Sequence, residues 1–159
     1  MSEREEALGK LDVKVKDIMT KSPLTVDAKS TIDVAARGME NCGCGCCLVE
    51  SKGKIVGIIT ERDIVRRLAA RGSQIKKTTV RSVMTSPIVV IDPESTVEQA
   101  LRIMAENKIR RLPVVSDEGL VGIVTIADIA KALAEKSGYT DSLLNALARQ
   151  SPAPKGVYA

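Results

Sequence analysis

Histidine, phenylalanine and tryptophan are absent from the 159-residue sequence, and its two tyrosines, Tyr139 and Tyr158, stand near the C-terminus. Without histidine there is no Ser/His or Cys/His nucleophilic dyad, no imidazole metal ligand and no ordinary side-chain titration near neutral pH. These absences remove most enzyme templates, and none is expected here. Without Phe or Trp the core must be built from Ile, Val, Leu, Ala and Met, and the lack of aromatic stacking platforms disfavours nucleic acid as a partner. No apolar run reaches the eighteen or so residues that cross a bilayer, so no membrane partner is expected. The opening residues Met1-Ser2-Glu3-Arg4-Glu5-Glu6 lack the apolar stretch of a signal peptide, and a cytoplasmic protein is expected. Cysteine is confined to Cys42, Cys44, Cys46 and Cys47, too close together to tie distant parts of a secreted chain.

What is present suits a packed domain. Hydrophobic residues make up 44%, and 24 Lys plus Arg against 20 Asp plus Glu leave a mild net charge of +4, scattered along the chain. A shift of 65 residues lays Val56-Gly57-Ile58-Ile59-Thr60-Glu61-Arg62-Asp63-Ile64 on Val121-Gly122-Ile123-Val124-Thr125-Ile126-Ala127-Asp128-Ile129, with six of nine positions identical. The same shift pairs Met19-Thr20 with Met84-Thr85, Asp27 with Asp92, Ser30-Thr31 with Ser95-Thr96, Arg37 with Arg102 and Met39 with Met104. The chain is two copies of one unit.

Each copy reads in the same order. An extended segment (24–26; 88–91) leads to Ser30-Thr31-Ile32-Asp33 or Ser95-Thr96-Val97-Glu98, both matching a capping box that opens a helix. The stripes Ile32, Ala35, Ala36, Met39 and Val97, Ala100, Leu101, Met104 have the spacing of a core-facing helix. Two strands follow in each copy (44–49 and 54–59; 109–115 and 120–124), joined by turns containing Gly53 and Gly119. Thr60 and Thr125 then cap a last helix, closed by Gly72 and Gly138. The unit is β-α-β-β-α, too small to bury a good core alone. The expected fold is therefore α+β, two such repeats packed face to face with pseudo-twofold symmetry. The first repeat is expected over 13–72 and the second over 78–138, with a lead-in over 1–12 and, over 139–159, a short helix carrying Leu143, Leu144 and Leu147 and a disordered tail.

The segments Gly57-Ile58-Ile59-Thr60-Glu61-Arg62-Asp63 and Gly122-Ile123-Val124-Thr125-Ile126-Ala127-Asp128 resemble the ligand signature of cystathionine-beta-synthase (CBS) domains: Gly, apolar, any residue, Thr or Ser, two residues, Asp. Ile109-Arg110-Arg111-Leu112-Pro113-Val114-Val115 and the repeated Met-Thr before Ser-Pro are also similar to that family. The resemblance covers residues 13–138 and implies a stand-alone tandem CBS pair, a nonenzymatic regulatory module. Such modules commonly bind AMP, ADP, ATP or S-adenosylmethionine between the two copies and associate as a homodimer. It implies no required cofactor, an adenine nucleotide as regulatory ligand, and a downstream protein target that the sequence does not name.

The residue chemistry fits such a ligand. Thr60 and Thr125 place a hydroxyl at a helix N-terminus, where backbone N–H groups favour a phosphate oxygen, and Asp63 and Asp128 are suited to accept from a ribose diol. Arg110 and Arg111 offer phosphate countercharge; neighbours on a strand point to opposite faces, and the resemblance favours Arg111. With no aromatic to stack on a base, Ile109 and Ile88 are the expected purine contacts, and the resemblance adds Thr20 and Thr85. Gly45-Cys46 stand where the second copy has Arg110-Arg111, so the cleft around Thr125, Asp128 and Arg111 is expected to be the tighter one; two features would reverse this, Arg62 as the first cleft's own cation and a pseudo-symmetry that directs Arg111 across into the neighbouring site. Thr-x-x-Asp is equally a plain helix cap. Cys44 and Cys47 align with Ile109 and Leu112 and are expected to be buried as small hydrophobes with no metal required; a thiol-based metal or redox role is the alternative. Ile64, Val65, Leu68 and Ala69 surround one helix with more apolar surface than a small core uses, which favours a dimer.

Overall fold

The computed structural model describes residues 13–137. The lead-in over 1–12, Gly138 and the leucine-bearing tail lie outside the described residues. In chain order the elements are α1 (Val15–Ile18), β1 (Thr20–Lys21), β2 (Thr25–Asp27), α2 (Ile32–Cys42), β3 (Cys46–Ser51) and β4 (Lys54–Thr60). A helical segment α3 follows, α-helical over Glu61–Asp63, π-helical over Ile64–Leu68 and 3-10 over Ala69–Arg71. The second copy supplies α4 (Val80–Val83), α5 (Val97–Asn107), β5 (Arg111–Ser116), β6 (Gly119–Thr125) and α6 (Ile126–Ser137).

The architecture is α+β with two three-stranded sheets, ordered β2-β3-β4 and β1-β6-β5. Each is built on an antiparallel hairpin of matching register, Cys46 opposite Thr60 in one and Arg111 opposite Thr125 in the other. The long helices bury Ile32, Ala35 and Met39, and Val97, Ala100 and Met104, against their own hairpins. Their caps fall one residue later than the Ser-first reading. Thr96 is the N-cap of α5 and forms the box with Gln99, whereas the Thr31 hydroxyl donates to Asp33 instead. That bond, with Arg37 nearby, holds the Asp33 carboxyl below its ordinary range. The strands begin two residues later in β3 and β5 than the sequence pattern predicts, and Ile88–Ile91 contributes only a single parallel bridge, Ile91 to Val114.

The opening segment of each copy packs on the other copy. β1 pairs antiparallel with β6, and the equivalent Thr85 bridges Ile58 on β4. Val15 of α1 lies in the second core with Val97, Leu112 and Ile129, while Val80 and Val83 of α4 lie in the first with Ile32, Val49 and Leu68. Backbone bonds repeat the exchange: Val15 N–H to the Ser95 carbonyl at 2.8 Å, and Val80 N–H to the Ser30 carbonyl at 2.8 Å. A unit that cannot bury its own hydrophobic face is thereby completed by its neighbour.

The motif glycines permit this exchange. A Cβ on Gly57 would stand 2.6 Å from Met84 Sδ and 2.9 Å from the Thr85 carbonyl; on Gly122 it would stand 2.7 Å from Met19 Sδ and 2.8 Å from the Thr20 carbonyl. Only a residue without a side chain lets the partner backbone come this close.

Candidate functional site

Strand β4 ends on Thr60, whose extended backbone turns the chain into α3. The Asp63 Oδ2 accepts from the Thr60 N–H at 3.0 Å and the Thr60 hydroxyl at 2.8 Å, and the Asp63 N–H donates back to Thr60 Oγ1 at 3.2 Å. Thr125 and Asp128 form the same box at 2.8, 2.8 and 3.2 Å. The Thr hydroxyl therefore gives its proton to its own Asp. The other oxygen of Asp63, Oδ1, accepts from the Thr85 hydroxyl at 3.5 Å and pairs with Arg67 Nε at 3.4 Å. The Arg67 guanidinium also donates to the carbonyls of Val83 at 2.9 Å and Met84 at 3.0 Å, so it links α3 to the segment that enters from the second copy.

Against this box lies a cleft of about 430 Å³ between the two copies. The first copy contributes Gly45, Ile58, Thr60, Glu61, Arg62 and Asp63. The second contributes Thr85 together with the run from Lys108 to Arg111, at the junction of α5 and β5. Gly45 makes room for that run, since a Cβ there would stand 3.2 Å from Glu61 Oε2 and 3.3 Å from Arg111 Nη2. Four basic side chains thus face two acidic ones.

The structure brings together Thr60, Asp63, Arg62, Thr85, Ile109, Arg110 and Arg111. It sets the arginine pair beside Thr60 and Asp63, not in a separate group with Thr125 and Asp128; Arg111 retains Thr125 only as its register partner on β6. The replacement of an arginine by Gly45 in the first copy, read from sequence as a loss of countercharge, opens the space that the other copy's Arg111 fills. Thr20 pairs with Ile123 beside the second box, and Ile88 stays outside this lining. Both adjacent arginines reach the cleft because Arg110 precedes β5 and escapes strand alternation. Three lining residues went unforeseen. Ile58 is the apolar position inside the motif, Glu61 follows the cap, and Lys108 aligns with Gly43. Lys108 closes α5 in the left-handed region at φ 53°, where Gly43 closes α2 at φ 62°. A lysine at a left-handed C-cap was the signal available.

The cysteines divide into two kinds. Cys42 and Cys44 are joined as a disulfide across the end of α2, so Cys44 is half-buried and bonded, not the free buried thiol expected from its alignment. Cys47 is buried, its Sγ 3.6 Å from the Ala35 carbonyl, and burial pushes its thiol up to about 12. Burial also raises Cys46, against the pull of Arg111. Among the described residues no three His, Cys, Asp or Glu side chains converge as a metal site, and no helix is long and apolar enough to cross a membrane.

A CBS domain profile matches residues 15–70 and again 80–135. The CBS domain-containing protein YhcV of Bacillus subtilis is 40% identical over 116 residues, covering 73% of this chain and 82% of its own. Among solved structures, a protein with CBS domains from Burkholderia ambifaria superposes with a TM-score of 0.73 at 27% identity, over 77% of this chain and 95% of that one. The CBS domain pair of protein MJ0100, in complex with 5-methylthioadenosine and S-adenosyl-L-methionine, gives a TM-score of 0.70 at 32% identity, over 78% and 98%. Two profile matches in tandem, on a structure whose copies complete each other's cores, place this chain in the CBS domain family as a CBS-pair regulatory module.

Proposed function

We propose that the chain is a nonenzymatic sensor whose cleft takes an adenosine-containing ligand, AMP, ADP, ATP or S-adenosylmethionine, and passes its occupancy to a partner protein or to a second copy of itself. The carrying observation is that one cleft draws the Thr60–Asp63 box from the first copy and Ile109, Arg110 and Arg111 from the second. A ligand seated there touches both, so its binding free energy acts on their relative placement. Asp63 Oδ1 suits a ribose hydroxyl, Ile58 and Ile109 offer aliphatic walls for a purine, and the cations suit phosphate. The adenosine compounds bound by the MJ0100 pair support the same reading.

A homodimer fits this role. Leu68 is buried and Ile64 half-buried in the first core, so the apolar surplus on α3 is narrower than its sequence implies, but Val65 on α3 is 62% exposed and Ile126 at the start of α6 is 42% exposed. Light scattering at micromolar concentration checks it; a mass near 17.0 kDa overturns it.

Thermal unfolding with adenosine, its phosphates, S-adenosylmethionine, metal ions and oligonucleotides tests the main reading. A ligand at a hundred times its dissociation constant stabilises by about 2.7 kcal/mol. No shift with any adenosine compound at millimolar concentration overturns it. A thiol-responsive reading is favoured by one observation: the Cys42–Cys44 disulfide ends one residue before Gly45 of the cleft. A nucleotide affinity that changes on reduction supports that reading.

A further inference from the structure

We propose that the cleft selects by anionic charge: it takes an adenosine bearing a chain of two or three phosphates in preference to one bearing a single phosphate or a sulfonium, and Lys108, Arg110 and Arg111 hold the outer phosphates. This rests on the adenosine reading above and goes on to divide that ligand class. The helix N-terminus has little left to offer an anion, since three of its first four N–H groups, all but that of Arg62, already have acceptors. The Thr60 N–H is bonded to Asp63 Oδ2, the Glu61 N–H to the Gly45 carbonyl at 3.2 Å, and the Asp63 N–H to Thr60 Oγ1. The Thr60 hydroxyl is likewise spent on Asp63. A chain of phosphates therefore relies chiefly on the side-chain cations of the lining.

Those cations are unpaired. The ion pairs among the described residues are Lys16–Glu94, Arg37–Asp33 and Arg67–Asp63, so Arg62, Lys108, Arg110 and Arg111 face the cleft with no ion-pair partner. Against these four cations the lining sets Glu61 and Asp63, and Asp63 is already paired with Arg67, so the cleft keeps a positive surplus that each further phosphate helps to neutralise. Lys108 holds a backbone conformation that glycine adopts at lower cost, and the first copy has glycine there. A lysine kept at that cost next to Arg110 and Arg111 adds a third cation to the second copy's side of the cleft. A sulfonium brings a further positive charge to a cleft already in surplus.

Calorimetric titration in magnesium-free buffer with adenosine, AMP, ATP, S-adenosylmethionine and inorganic tripolyphosphate tests this. Each added charge-assisted contact is worth about one to two decades of affinity, so ATP is expected to bind roughly tenfold to a hundredfold more tightly than AMP, with S-adenosylmethionine weaker than AMP. In Lys108→Gly with Arg110→Gln, the gap between ATP and AMP is expected to fall below about threefold. Lys108→Gly restores the residue the left-handed cap prefers, so folding is preserved. Equal affinities for AMP and ATP in the unmodified protein overturn charge selection and leave the adenosine site standing. A response to tripolyphosphate alone, or to none of the five, overturns the adenosine reading and this inference with it.

Discussion

The two copies make the same hydrogen bonds within their motifs and differ in almost everything that touches them. Thr60–Asp63 and Thr125–Asp128 close identical boxes, and Gly57 and Gly122 meet the incoming Met-Thr backbone at nearly equal distances. Around the first box stand Glu61, Arg62 and Arg67; the corresponding residues of the second are Ile126, Ala127 and Ala132. Thr, Asp and Gly therefore carry the shared architecture, capping a helix and admitting a foreign backbone. On the proposed function, ligand discrimination falls to the neighbours that have diverged. A Thr-x-x-Asp pair that already satisfies itself explains why both copies keep it whether or not each holds a ligand.

The largest contrast expected in stability lies in the cores. Cys47 and Leu112 occupy matching buried positions, 1% and 0% exposed. Leu112→Ala deletes three buried carbons and is expected to cost about 3 kcal/mol, whereas Cys47→Ala removes one sulfur and is expected to cost about 1 kcal/mol. Urea unfolding of the two variants compares them directly. Equal losses show that the cores are packed alike despite their composition.

Next come the glycines. Gly57→Ala and Gly122→Ala each force a methyl against a carbonyl oxygen of the entering segment, and each is expected to cost about 2–3 kcal/mol. Their equality tests whether the exchange of opening segments is equally tight in both directions. A loss confined to one variant shows that one of the two segments sits loosely.

Much of this was legible in the sequence, and the misreadings have physical causes. The 65-residue repeat, the helix stripes and the cap threonines follow from periodicity and local hydrogen bonding, which neighbouring residues determine. The sequence favoured Arg111 with Thr125 and kept its crossing into the neighbouring site as the alternative; the arrangement of the lining agrees with the alternative. The hairpin aims Arg111 across to the other copy, and only the absence of a side chain at Gly45 gives it room. The Cys42–Cys44 bond was missed because alignment with a buried isoleucine says nothing about an adjacent thiol.

The cores also differ in their response to pH. Burial moves the Cys47 thiol from an ordinary 9.0 up to about 12, so the unfolded chain loses this proton first as pH rises. The stabilisation is complete below pH 9 and declines between pH 9 and about 12, with a limiting slope of about 1.4 kcal/mol per pH unit. Leu112 cannot titrate, so the effect belongs to the first copy alone. Comparing denaturant midpoints of the parent and Cys47→Ala from pH 8.5 to 10.5 isolates it: the parent is expected to lose stability more steeply. Parallel curves show that the native thiol ionises as readily as the unfolded one.

The smallest contrast concerns Arg67. Its guanidinium meets Asp63 and the carbonyls that end α4, but the side chain is 45% exposed, so water screens much of the gain. Arg67→Ala is expected to cost about 1 kcal/mol, seen as a fall of roughly 3–4 °C in melting temperature. The second copy has Ala132 at this position, facing the ends of α1 and β1 by pseudo-symmetry. Ala132→Arg should rebuild the link to the carbonyls of Ile18 and Met19 if the two surroundings are equivalent, raising the melting temperature by a comparable amount. There is a structural reason for less. The first helix widens into a π turn over Ile64–Leu68, where the Ala69 N–H is shared between the carbonyls of Ile64 and Val65, while α6 runs as an ordinary α-helix. A full gain from Ala132→Arg assigns the clamp to the arginine itself; no gain, alongside a clear loss in Arg67→Ala, assigns it to the arginine and the π turn together.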